Sequence, residues 1–196
     1  MNRNRIIIGF IVAVLFQSTI LVQMVWSQIT LLNSPTEVVL QTTAVDPRDI
    51  FRGDYVILDY KISLISDGTI PIDDTLKPGE DVFIVLNTKG RYATALRILA
   101  ALPPTLAADE AVIRGTVNWT NDNVRQTTEG DCGDCIILSI SYPIDSYFVP
   151  EGTGIQLEAQ RDANRLGVIV ALNEEGDVAI KGLMMNDIKV YDTPLF

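Results

Sequence analysis

Cysteine occurs twice, at Cys132 and Cys135, in a C-x-x-C spacing. That spacing can serve thiol–disulfide exchange, a thiolate metal site or a local disulfide. Glu129, Asp131 and Asp134 surround the pair, and a β-like run follows it rather than a helix start. Neighbouring carboxylates oppose thiolate formation and blunt the nucleophile. A Cys132–Cys135 disulfide pinning a hairpin is the favoured reading outside a membrane. Redox exchange, free thiols and a metal site lacking further soft ligands are the alternatives. Asp54 and Glu151 are the other candidates, since two carboxylates that met in space could bind a cation or act as acid and base. The simpler reading makes Asp54 a turn former beside Gly53, and Glu151 an acid at a helix N-terminus after Pro150. Histidine is absent, which removes His triads, His general bases and His metal ligands. No catalytic, cofactor or metal site is therefore assigned, and the balance leans against an enzyme. Arg52-Gly53-Asp54 spells an integrin-type tripeptide and Asn118-Trp119-Thr120 a glycosylation sequon. Both are too common or too host-dependent to carry a function.

The elements that must hold these residues begin with a membrane segment. No charged residue occurs from Ile6 through Thr36, and Ile6–Trp26 is long enough to cross a bilayer. Gln17, Thr19 and Gln23 interrupt it and could hydrogen-bond a neighbouring helix as a polar face. Arg3 and Arg5 precede the run, and the next basic residue is Arg48. This asymmetry predicts a cytoplasmic N-terminus and an exported remainder, with Trp26 as an interfacial anchor. Val25 and Ser27 would also suit signal-peptide cleavage, but the apolar run exceeds a usual signal core, so an uncleaved anchor is preferred.

The expected organisation is a cytoplasmic stub (1–5), a transmembrane anchor (6–26), a juxtamembrane linker (27–37) and one β domain (38–196). Beyond Trp26 lie 13 of the 15 basic and all 25 acidic residues, a formal charge of −12. A chain of pI near 4.4 without a basic cluster is not expected to bind nucleic acid.

Strand signals dominate the exported part. TEVVLQTTAV (36–45), Tyr55–Ile62, DVFIVLN (81–87), AVIRGTVNW (111–119), CIILSISY (135–142), LGVIVAL (166–172) and DVAIKGL (177–183) are β-branched or alternating. Asn173–Gly176 reads as a hairpin turn. Tyr92–Leu102 could be helix by propensity, yet its neighbours favour strand. Gly154–Ala163 predicts a helix. The fold class is mainly β: one N-terminal transmembrane helix, then a mostly antiparallel β domain with one or two short helices.

Gly53-Asp54-Tyr55-Val56-Ile57-Leu58-Asp59-Tyr60 reads as a turn feeding a strand, with Leu58 and Tyr60 on the core face and the Tyr60 hydroxyl seeking a buried partner. The string resembles the defining motif of the GDYXXLXY family at all five fixed positions. Val45–Arg52 resembles its lead-in, and Tyr147–Gly154 with Leu157-Glu158 its second signature, which includes Pro150, Glu151, Gly152 and Gly154. Lys181-Gly182-Leu183 and the tail from Tyr191 to Phe196 resemble its C-terminus. The resemblance implies a bacterial, membrane-anchored protein without an assigned activity, from a family that often accompanies a multi-helix membrane protein. A weaker likeness links Arg52–Val56 to a box of type I signal peptidases. Ser27 and Ser34 do not match that family's nucleophile string, and Arg97 stands where its lysine should fall. Arginine stays protonated and cannot act as a base, so the likeness implies a catalytically dead relative.

The expected function is a single-pass accessory or interaction domain on the outer face of a bacterial inner membrane. Its expected partners are the bilayer and an integral membrane protein. The alternatives are a signal-peptidase-like fold without catalysis, and a ligand-binding, cation-binding or hydrolytic domain using Asp54 and Glu151.

Overall fold

The first element follows from a run that is apolar on every side. A helix, α1 (Arg3–Leu32), contains Ile7–Leu32, a stretch long and apolar enough to cross a membrane, none of it buried against the rest of the protein. At 1.5 Å per residue it is about 45 Å long. Phe10, Phe16 and Trp26 are 70%, 69% and 72% exposed. The computed structural model describes residues 3–43, 55–66, 70, 72, 76–124, 135–148, 166–185 and 188–192.

The helix continues past Trp26, where sequence reading placed a linker. The Ser27 and Thr30 hydroxyls donate back to the Met24 and Trp26 carbonyls, both at 2.9 Å, so their polar groups are satisfied within the helix. Asn33 closes the last turn, its side-chain amide donating to the Ile29 carbonyl at 2.9 Å. Only Asn33-Ser34-Pro35 separates the helix from β1 (Thr36–Thr43).

Twelve strands follow among the described residues: β1, β2 (Tyr55–Ile57), β3 (Asp59–Tyr60), β4 (Leu64–Ser66), β5 (Asp81–Asn87), β6 (Thr94–Leu99), β7 (Glu110–Val124), β8 (Cys135–Ser141), β9 (Ser146–Phe148), β10 (Leu166–Leu172), β11 (Val178–Met185) and β12 (Ile188–Asp192). They form two five-stranded sheets, ordered β12-β11-β10-β1-β3 and β4-β8-β7-β5-β6, and a ribbon β2-β9. Every pairing is antiparallel. The two sheets share one core. Val38 and Leu40 of β1 and Val168 and Val170 of β10 meet Ile84 and Leu86 of β5, Ile113 of β7 and Leu138 and Ile140 of β8 there. Thr42 continues the inward alternation of β1, and its hydroxyl is satisfied by the Leu166 carbonyl at 2.8 Å.

Most expected strands form. The ambiguous Tyr92–Leu102 run is strand at β6, and Asn173–Gly176 turns β10 into β11, with Gly176 at φ +85°. β4 and β12 were not anticipated. The expected single strand over Tyr55–Ile62 is instead divided. The Leu58 N–H donates to the Asp145 carbonyl at 2.7 Å, the last contact of β2 with the β9 segment, and β3 then takes β1 as its partner. A 3₁₀ turn, Lys61–Ser63, then leads into β4. The expected helix at Gly154–Ala163 lies outside the described residues.

Candidate functional site

Twelve residues, Tyr55–Ser66, visit three sheets in turn: the ribbon, the first sheet and the second. Such a path needs anchors at each change of partner. Leu58 and Tyr60 are buried, 3% and 2% exposed. Asp59 faces the other way, and its carboxylate accepts the Tyr60 backbone N–H at 2.9 Å. The Tyr60 hydroxyl donates to the Ile144 carbonyl at 2.6 Å. From the other side, the Tyr142 hydroxyl donates to the Ile62 carbonyl at 2.7 Å. Each tyrosine thus holds the segment that carries the other. Their rings meet edge to face, centroids 6.2 Å apart at 84°.

This geometry does not favour proton transfer. Burial holds the Tyr60 hydroxyl far above the ordinary tyrosine range, reinforced by Asp145 and Asp59. Burial and Asp59 do the same to Tyr142. Both stay neutral donors, and both already donate to a backbone carbonyl. Gly115 lies beneath the Tyr142 ring. A Cβ there would stand 2.5 Å from Ile140 Cγ2, 2.9 Å from the Ser141 carbonyl oxygen and 3.0 Å from Tyr142 Cε1. Tyr142 and Gly115 were missed as members of this corner. The Tyr142 signal was its place closing the alternating run CIILSISY, and that of Gly115 was a glycine inside a strand.

The two family-like strings meet on the ribbon. Tyr55 is opposite Phe148, Val56 opposite Tyr147 and Ile57 opposite Ser146. Gly53 and Asp54 precede Tyr55 in sequence, and Pro150 and Glu151 follow Phe148 closely. Gly53, Asp54, Pro150, Glu151, Gly152, Gly154 and Cys132 lie outside the described residues. So do the side chains of Tyr55 and Cys135, whose backbones stand in β2 and β8.

Several charged residues of the described surface form ion pairs that tie strands and turns together. Arg97 forms two parallel bonds to Glu110, at 2.7 and 2.9 Å, reaching across β5. This pairing, with the Ala107 N–H, holds the Glu110 carboxyl down at about 2. Lys89 lowers the Asp109 carboxyl below its ordinary range through a 2.7 Å ion pair. Arg114 pairs with Asp177, and Lys181 with Glu37. Ser27 is spent on the Met24 carbonyl and Ser34 on the Leu172 carbonyl. The signal-peptidase likeness gains no support from this arrangement. Among the described residues, no three His, Cys, Asp or Glu side chains gather as a metal site.

An open groove of about 1090 Å³ lies where the last turns of α1 meet the β10–β11 turn. Trp26, Ile29 and Leu172 give it apolar walls, and Glu174, Glu175 and Asp177 make its rim acidic. On the helix itself, Thr19 and Gln23 are four residues apart and share a side. Gln17 is six residues from Gln23, which turns it about 120° away, so the three do not form the single polar face expected from composition.

A family model described as GDYXXLXY protein matches residues 17–183. Comparison with curated proteins and with solved structures returned no match.

Proposed function

The chain belongs to the GDYXXLXY family, and from that premise we propose that it is a membrane-tethered interaction domain acting beside an integral membrane protein. One observation carries the reading. Most of the Ile7–Leu32 stretch finds no cover within its own chain, while Leu58 and Tyr60 of the family string are committed to the core. A helix of this kind is stable in lipid or against other helices. Arg3 and Arg5 ahead of it favour a cytoplasmic N-terminus at the bacterial cell membrane, with the acidic β domain outside. The partner's membrane helix meets the Thr19/Gln23 side, and its outer loop meets the groove beside Trp26. Crosslinking in intact membranes, followed by capture in mild detergent, should retain a multi-helix protein, and Gln23→Leu should weaken that capture. Capture of no membrane protein, or a reporter fused after Phe196 that proves cytosolic, would overturn the proposal.

The ribbon supports a second reading. It brings together the strings that carry Asp54 and Glu151, so a cation site at its end would raise the melting temperature in calcium. Asp54→Asn and Glu151→Gln should each abolish that shift while leaving the calcium-free melting temperature in place. On an outer face Cys132 and Cys135 are paired, and maleimide should label the denatured chain only after reduction.

A further inference from the structure

We propose that α1 pairs with α1 of a second copy of this chain through the side carrying Gly9, Ala13 and Gln17; this rests on the membrane-anchor reading above. Gln17 stands near the middle of the Ile6–Trp26 run, where hydrocarbon offers no hydrogen-bond partner. The hydroxyls of Thr19, Ser27 and Thr30 are satisfied by carbonyls of their own helix. The Gln17 carboxamide makes no hydrogen bond within the described chain and is exposed on the helix surface. A bare carboxamide at that depth is costly, and what relieves it must present both a donor and an acceptor at the same level.

A second copy meets both conditions by symmetry. Its helix runs in the same direction through the same bilayer, so its Gln17 arrives at the same depth. A carboxamide is self-complementary, N–H to O in both directions. The neighbouring residues allow the approach. Gly9 and Ala13 precede Gln17 at spacings of four, which places all three along one side of the helix. A Cβ built at Gly9 meets nothing within 4 Å. Small residues at this spacing let two backbones come close, which a carboxamide on a short tether needs. Thr19 and Gln23 face elsewhere and remain free for the integral partner.

The test uses the full chain with donor or acceptor fluorescent proteins fused ahead of Met1, co-expressed in membranes. The wild type should show energy transfer above that of a non-interacting membrane control. Gln17→Leu should weaken association about three- to thirty-fold, the range for one interhelical hydrogen bond in lipid. Ala13→Leu should weaken it by separating the helices, Gln17→Asn should retain it, and Gln23→Leu should leave it unchanged. Control-level transfer in the wild type, or full transfer in Gln17→Leu, overturns the pairing. So does a Gln17→Leu that lowers capture of the integral partner without altering transfer, since that gives this side to the partner. An alkaline carbonate wash separates the two ideas. Release of the wild type from membranes defeats the anchor reading, whereas retention without energy transfer defeats only the pairing.

Discussion

A buried tyrosine hydroxyl must reach an acceptor or weaken the fold, and Tyr60 and Tyr142 reach theirs on each other's segment. Tyr60→Phe and Tyr142→Phe should each cost about 1–3 kcal/mol in urea unfolding, because a buried carbonyl loses its donor. The pair should be non-additive, since the rings touch. Burial holds both hydroxyl equilibria above the ordinary tyrosine range near 10 in the folded state. Stability from that preference is complete below pH 10 and is lost as pH rises past it, so the wild type should lose more stability above pH 10 than Tyr60→Phe does. Glu110 works in the opposite sense. Its carboxyl is held at about 2 by Arg97, below the ordinary 4.5, so its contribution is present above 4.5 and lost as pH falls towards 2. Glu110→Gln should flatten the acid limb of the unfolding curve between those values. The inward placement of Leu58 and Tyr60 was legible, because alternation along a strand decides the face. The acceptor for Tyr60 was not, because Ile144 is 84 residues distant and only tertiary pairing brings it near.

At the scale of elements, alternation and β-branching exposed the long strands, and the runs at 81–87 and 166–172 coincide with β5 and β10. The Ala-rich stretch at β6 shows tertiary context overriding helical propensity: it pairs with β5, and Ile98 is buried. The short strands were illegible. β4 has three residues, too few for a period to appear, and the split at Leu58 is a change of partner from β9 to β1 that no local pattern reveals. Gly115 is where element geometry is tightest. Gly115→Ala should cost about 1–3 kcal/mol, because the new methyl meets a backbone oxygen that cannot rotate away as well as the Tyr142 ring. Differential scanning of the variant should show a lower melting temperature with its β-type circular dichroism intact. An unchanged melting temperature would mean that β7 and β8 separate more easily there than their register implies.

For the whole molecule, the question is whether the helix belongs to the fold or only to its placement. The core is drawn from the two sheets and the corner between them, and no residue of α1 enters it. The helix meets the β domain through β10 and β11 beside its last turns, and Ser34 ties the connection to the Leu172 carbonyl. No α1 residue is fully buried at that junction, Ile29, Leu31 and Leu32 being half-buried, so little stability should depend on it. A chain beginning at Asn33 should therefore fold alone. Its β-type circular dichroism and cooperative urea transition should match those of the full chain in detergent within about 1 kcal/mol, the scale of losing a few peripheral contacts. Its charge of −12, all carried beyond Trp26, should keep it soluble and off anionic vesicles. The full chain should remain with the membrane pellet. If the shortened chain unfolds or aggregates, α1 contributes to the core in solution, and the division into an anchor and an independent domain fails.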